Sequence, residues 1–508
     1  MLLTKQVLGC LLLVLPMLAA AARRAGTARG LFPRLPRGLL LNAAASVSTP
    51  AAAAAGAAAG AAATTAGLSG DDKLRLMREL MAKEQIDAFI VPTDDPHMSE
   101  YTAPYFGRRE FISGFTGSAG TALVLRDKAL LFTDGRYHNQ AEIELKGSQW
   151  TLMKQGLKDV PGLVEYLSTN LPPGAVVGFD PLLHAAFPLK KMQDTLEGKK
   201  LGMKPVSYNL IDRVWGDSRP AAPRGEIRIH PVEYAGKTVK EKLEDIRKSL
   251  KSAKAVGLVL TALDEIAWTF NIRGADVPCN PVSVAYATIS ANGGAELFID
   301  AEKVPQQVAV ALESAGVTLR AYDEALSAVA QLDKAAADAK SLVWLDGKTA
   351  NTAVCEAVHA SRRIDKECPV TLMKACKNEA ELAGMRACHI RDGAAMAEFF
   401  AWLEHELGSR TISEVELDEK VCSFRESFGK WLEPSFPTIA GVNSNGAIVH
   451  YRAVKETCKI LGNNDMCLLD SGGQYLDGEL ATASPTPCHV TTPLTLYLPP
   501  TPPPHAPC

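Results

Sequence analysis

Several things are scarce or missing in this chain. There is no C-x-x-C pair: the 11 cysteines among 508 residues are scattered without regular spacing. That argues against a disulfide framework or a thiolate zinc site, and suits buried thiols in a reducing compartment. There is little net charge, formally -3, so the chain lacks the basic excess that nucleic-acid binding favours, and no nucleic-acid partner is expected. The uncharged apolar run Val7 to Ala22 is short for a bilayer, so no stable membrane span is expected. Finally, no acidic residue precedes Asp71.

That last absence sets the first 70 residues apart. Lys5 precedes the apolar run, which ends in small residues before Arg23 and Arg24, the layout of a secretory signal. Beyond it come Arg29, Arg34, Arg37, Ser46, Ser48 and a long Ala/Gly tract. Arg- and Ser-bearing, acid-free sequence reads as an organellar transit peptide. Residues 1–70 are therefore read as a targeting segment with an Ala-rich linker. Plastid or mitochondrion is favoured, with the secretory pathway or the cytoplasm as alternatives.

What is present is a large apolar content, 47%, with room for about three domains. In residues 71–215, Leu74, Met77, Leu80 and Met81 recur at helical spacing before the strand-like run 87–91. Thr121 to Leu125 and Ala129 to Phe132 form a hairpin-like pair, and helices and a strand alternate up to Gly198. The mixture predicts an α/β unit. Residues 233–350 open the same way, with Val239, Leu243, Ile246 and Leu250 on one stripe and an apolar strand at 256–260. This reads as an internal duplication. A third unit spans 368–480. Asn378 and Glu381 start a long helix with Met385, Cys388, Ile390 and Ala395 as apolar positions. Ser413 and Glu416 make a capping box for the next, with Val415, Val421 and Phe424 facing inward. Residues 481–508 are Pro-rich, without helical or strand period. His97 and His138 have no partner at ligand spacing and are read as structural or surface histidines.

The stretch 434–478 concentrates the chemistry. SFPTIAG is a β-prone run closed by Gly441, NGAIVHYR places His450 at the end of a small apolar strand, and MCLLDSGGQYLDG drives a strand into Asp470 and a Gly-rich turn. A carboxylate there, followed by glycines that admit close backbone approach, suits a metal ion or a catalytic acid. Ordinary turn chemistry makes Asp470 a cap and His450 a strand histidine. These residues alone leave both readings open.

The strings SFPTIAG, GAIVHYR and LLDSGGQYLDG, with FISGFTGSAGTALV, LFTDGRYHNQA and DEIAWTFNIRGADVPCNPV upstream in order, resemble the Xaa-Pro aminopeptidase (aminopeptidase P) family across roughly 72–480. The resemblance implies two creatinase-like α/β domains, followed here by an incomplete pita-bread α+β metallopeptidase domain. It implies removal of the first residue from peptides with proline second, two Mn(II) ions as cofactors, and often a homodimer. Proline's nitrogen has no hydrogen to donate, and a metal-bound hydroxide held by carboxylates answers the need for a nucleophile. By the same resemblance Asp470 is the first metal ligand, and His450 contacts the peptide and steadies developing charge. The family's second Asp falls at position 481, where this chain has Ala481, and its later His and two Glu ligands have no match. The chain as it stands is expected to hold no stoichiometric metal pair and to be inactive. Asp477 is expected to point outward as a non-ligand, and His489 and His505 to be incidental. Arg273, Asp276 and Asn280 lie in a polar loop that either closes a domain or borders the substrate entrance. The alternatives are a non-catalytic pita-bread relative that binds peptides or proteins and, more remotely, a creatinase-like hydrolase that uses a histidine instead of metals.

Overall fold

The structure is a computed structural model that describes residues 67–487, and side chains as far as Glu479. The targeting run Val7 to Ala22, most of the 1–70 segment, His489 and His505 lie outside these residues. No helix among the described residues is long and apolar enough to cross a membrane.

Helix α1, Gly70–Lys83, starts where Ser69 accepts a hydrogen bond from the Asp72 amide, and buries Leu74, Met77 and Met81. It covers a six-stranded sheet made of β1 Ala88–Pro92, β2 Thr121–Leu125, β3 Ala129–Thr133, β4 Trp150–Lys154, β5 Val176–Phe179 and β6 Gly202–Pro205, in the order β4-β3-β2-β1-β5-β6. β1 is buried along its whole length, as a central strand covered on both faces must be. Phe89 and Val91 pack under α1, whereas Ala88 and Ile90 face Leu167 and Leu196.

The second sheet repeats this plan. Its strands are β7 Ala255–Leu260, β8 Tyr286–Ser290, β9 Ala295–Phe298, β10 Val317–Arg320, β11 Leu342–Leu345 and β12 Arg363–Asp365, in the order β10-β9-β8-β7-β11-β12. In each sheet the first strand runs antiparallel to the second and parallel to the fifth, and the third runs parallel to the fourth. Helix α2, Val239–Ser252, takes the place of α1, with a Thr238–Glu241 capping box and Leu243, Ile246 and Leu250 buried. The duplication suggested by the sequence is therefore a duplication of topology.

His97 joins the two sheets' units. Its ring is buried, Nδ1–H donates to the Thr261 carbonyl (2.9 Å), and Nε2 accepts from the Tyr322 hydroxyl (2.8 Å). Beside it, Asn351 donates to the Pro96 carbonyl (2.7 Å) and lies 2.9 Å from the Tyr286 hydroxyl. His138 is half-buried, with Nε2 3.3 Å from the Thr133 carbonyl.

Beyond these sheets, α3 Glu379–Leu407 begins with the capping box expected at Asn378 and Glu381. It packs against α4, Glu414–Ser427. Together they cover the sheet of β13 Trp431–Pro434, β14 Ile439–Val442, β15 Met466–Tyr475 and β16 Gly478–Pro487. β15 is central: β14 pairs with its first half, β13 with its last residues, and β16 with its entire length.

Four expectations need correcting here. Ile390 is exposed rather than an apolar contact. The inward stripe of α4 is Glu414, Leu417, Val421 and Arg425, while Val415 and Phe424 are only half-buried. The glycines after Asp470 do not turn the chain, because the strand continues through them to Tyr475, paired on both edges. Residues 481–487 are not aperiodic tail but the far half of β16.

Candidate functional site

Asp470 sits in the middle of β15, opposite Ile439 on one side and Ala483 on the other. Its neighbours Leu469 and Cys467 join the helix-side core, so alternation puts Asp470, Gly472 and Gln474 on the opposite face. Burial raises the Asp470 carboxyl above its usual range, and the nearby His450 opposes that shift. The register pairs Gly472 with Ala481, so position 481 shares the Asp470 face, one diagonal step away on the adjacent strand.

His450 is not at the end of a strand. After β14 the chain makes a short 3-10 turn, Asn443–Ala447, and His450 follows in an exposed turn with φ of +58°. A left-handed conformation costs a non-glycine residue about 1–2 kcal/mol, so something must hold the loop. Glu414 does so. Its fully buried carboxylate accepts hydrogen bonds from the Val442 amide (2.6 Å), Asn445 Nδ2 (3.0 Å), the Tyr451 hydroxyl (2.8 Å) and the Lys459 amide (2.7 Å). These donors flank His450 on both sides. Sequence reasoning treated α4 as scaffold and missed Glu414, although its spacing of three and seven from Leu417 and Val421 marks it as inward-facing.

Elements from both earlier sheets reach the same region. The Tyr137 hydroxyl lies 2.5 Å from His450 Nδ1, with the rings 5.4 Å apart. From the second, the loop at Cys279 (φ +61°) meets β15, where Gln474 Nε2 donates to the Cys279 carbonyl at 3.5 Å. Asp276 closes the domain: its buried carboxylate takes Lys303 Nζ (2.7 Å), Ser283 Oγ (2.9 Å) and the amides of Gly225 and Val284. Arg273 donates to the Ala267 and Ile272 carbonyls, and burial lowers its guanidinium to about 10. Asn280 closes a tight bridge with Val277.

Asp477 departs from expectation. It occupies the β15–β16 turn but points inward, paired with Arg391 and with Lys430 Nζ (3.0 Å). The turn fits closely under α3, since a Cβ at Gly384 would meet the Asp477 carbonyl at 2.1 Å.

Residues 73–214 and 218–381 each match the Creatinase/Prolidase N-terminal domain, and 383–486 match Metallopeptidase family M24. A probable Xaa-Pro aminopeptidase P of Ajellomyces dermatitidis is 44% identical over 421 residues, covering 81% of this chain and 68% of the relative. The chain belongs to the Xaa-Pro aminopeptidase P family. A probable Xaa-Pro aminopeptidase P of Neosartorya fischeri is also 44% identical, across 80% of this chain and 63% of its own length. The chain thus spans somewhat less than two thirds of that relative. Among solved structures, the X-prolyl aminopeptidase of Caenorhabditis elegans, described as a cytosolic enzyme with a di-nuclear active site, is 34% identical. It matches with a TM-score of 0.79 over 84% of this chain and 71% of that one. The architecture is accordingly two creatinase-type α/β domains followed by a pita-bread metallopeptidase domain.

The family implies a metal centre. The described residues do not fit a pair of metal ions: no group of three or more His, Cys, Asp or Glu side chains converges among them. Asp470 stands without a second carboxylate at the diagonal position, where Ala481 is found.

Proposed function

We propose that the activity of the whole protein is the release of the N-terminal residue from peptides with proline in second position. The approach of the His450 turn to Asp470, close enough for the imidazole to act on that carboxyl, with Tyr137 and the Cys279 loop alongside, carries this reading. His450 would meet the peptide carbonyl as it gains charge, and Asp470 would be one ligand of a metal pair, manganese in the family's usual form. The loop at 273–280 would border the peptide, and the family's habit of pairing supports a homodimer. The acid-free N-terminal segment supports delivery to a plastid or mitochondrion, with the secretory pathway or the cytoplasm as alternatives.

A second reading is favoured by one observation, the Ala481 beside Asp470. In the form described here the chain would bind proline-containing peptides without cutting them. Both readings are tested by one pair of measurements: titration with matched Xaa-Pro and Xaa-Ala peptides, and release of the first residue in added manganese. Selective binding of the Xaa-Pro peptide without release supports the binding form. Release restricted to the Xaa-Pro peptide makes this chain itself a peptidase. A chain that neither prefers nor cleaves the Xaa-Pro peptide defeats the binding form, and a longer form carrying the family's later ligands that releases no residue defeats the peptidase.

A further inference from the structure

The two glycine-containing strings of the first domain, FTGSAG and TDGRYHNQ, meet beside His450. Tyr137 is 1% exposed, and its ring packs edge-on against Phe115 at 6.0 Å. The space for it depends on a missing side chain. A Cβ at Gly117 would come within 2.7 Å of Tyr137 Cδ1 and 2.3 Å of Phe115 Cζ. Arg109 fixes that loop from below, bonded to the Gly117 carbonyl with its guanidinium 4.8 Å from the Phe115 ring centre. Ser118 Oγ bonds the Tyr137 hydroxyl. Only that hydroxyl reaches out of the socket, 313 residues along the chain, to His450 Nδ1.

We propose that Tyr137 is the positioning residue for His450, donating its hydroxyl proton to Nδ1 and so fixing the imidazole as the Nε2–H tautomer. Ser118 completes the line by donating to the tyrosine oxygen. A neutral imidazole carries one N–H, so a donor at Nδ1 sends the ring's own proton to Nε2. The ring is exposed, and Nε2 makes no hydrogen bond among the described residues. It therefore presents an N–H to whatever approaches, the form needed to steady a carbonyl oxygen gaining negative charge. This role rests on the proposed peptide chemistry; the seating of the ring does not. The left-handed backbone at His450 belongs to the same device, since Glu414 holds the loop and Tyr137 holds the ring.

The test reads the tautomer directly in the chain as it exists. Nitrogen-15 histidine NMR above pH 7.5, with the His450 signals assigned by their loss in His450→Gln, should show Nε2 protonated and Nδ1 bare. In Tyr137→Phe, which keeps the ring that fills the socket, the signals should move to a mixture of both tautomers while the melting temperature changes little. Ser118→Ala should produce a smaller shift in the same direction. An Nδ1–H tautomer in the wild-type chain overturns the proposal, as does a signal unmoved by Tyr137→Phe. The wild-type tautomer needs no substitution, so a misfolded variant does not leave the question open. No peptide is present in this experiment: failure of the peptide readings would leave its result standing, and its failure would leave those readings to the binding and release measurements.

Discussion

Arg425 and Asp392 form a salt bridge sealed beneath the sheet that carries Asp470. The Nε–Oδ1 distance is 2.7 Å, with side chains 0% and 1% exposed. Asp392 Oδ1 also accepts from the Tyr475 hydroxyl (2.7 Å), and Arg425 reaches the Gly472 carbonyl (3.3 Å) on the strand of Asp470. Removing one partner of such a pair leaves a buried charge and costs about 3–5 kcal/mol. Asp392→Ala should therefore lower stability by that amount in denaturant titration. The double change Asp392→Leu with Arg425→Met should cost clearly less. Equal losses would mean that the pair itself, not an orphaned charge, holds α3 and α4 to the sheet.

Glu414 gives the second expectation. With five hydrogen bonds converging on its carboxylate from Val442, Asn445, Tyr451 and Lys459, Glu414→Ala leaves these donors unmet, the buried Val442 amide alone at about 1–3 kcal/mol. Hydrogen exchange should accelerate across residues 442–459, and limited proteolysis should cut there first. A variant whose loop stays as protected as the wild type would refute the anchoring role.

The third concerns pH. Burial is the main influence on His97 and pushes its imidazole below the ordinary 6.5, with Asp95 opposing the shift. Lys303 acts with burial, Asp276 against it, and Tyr286 and Tyr322 face the ring. The folded chain thus binds this proton less readily than the unfolded chain. The contribution of His97 is present above about pH 6.5 and is lost as pH falls below it. The guanidinium midpoint should drop between pH 7.5 and 5.5, and drop less in His97→Gln. The reading fails if both chains lose the same amount.

The fourth concerns metal. A lone carboxylate repays little of the hydration that a hard divalent ion gives up. After dialysis against manganese the chain should retain far less than one ion, and Ala481→Asp alone should not bring it to two. Elemental analysis near two ions per chain in the wild type would overturn the ligand count.

Much of the framework is legible in the sequence because its signals are local. Leu74, Met77 and Met81 announce α1 by spacing, and Asn378 with Glu381 announces the start of α3; both helices begin where those residues direct. What escapes is set by contacts between distant segments. Periodicity assigns charged residues to solvent, so Glu414 and Arg425 gave up their inward places to Val415 and Phe424 in the reading. Glycines read as a turn, yet Gly472 and Gly473 remain in a strand because neighbours pair on both sides. Its place after a turn predicts an outward Asp477, and nothing nearby in sequence announces its partner Arg391. The approach of Tyr137 to His450 has no local signature at all.

The repeated sheet plan places two matching positions in different surroundings. Asp134 follows the third strand of the first copy and accepts from the amide two residues on (3.1 Å); Asp300 does the same in the second copy (3.0 Å). Three residues after each aspartate stand Tyr137 and Lys303. The equivalent position serves two different ends. In one copy it reaches across to another domain at His450; in the other it turns home and neutralises Asp276. One plan used twice thus leaves one copy closed on itself and the other tied to its neighbour.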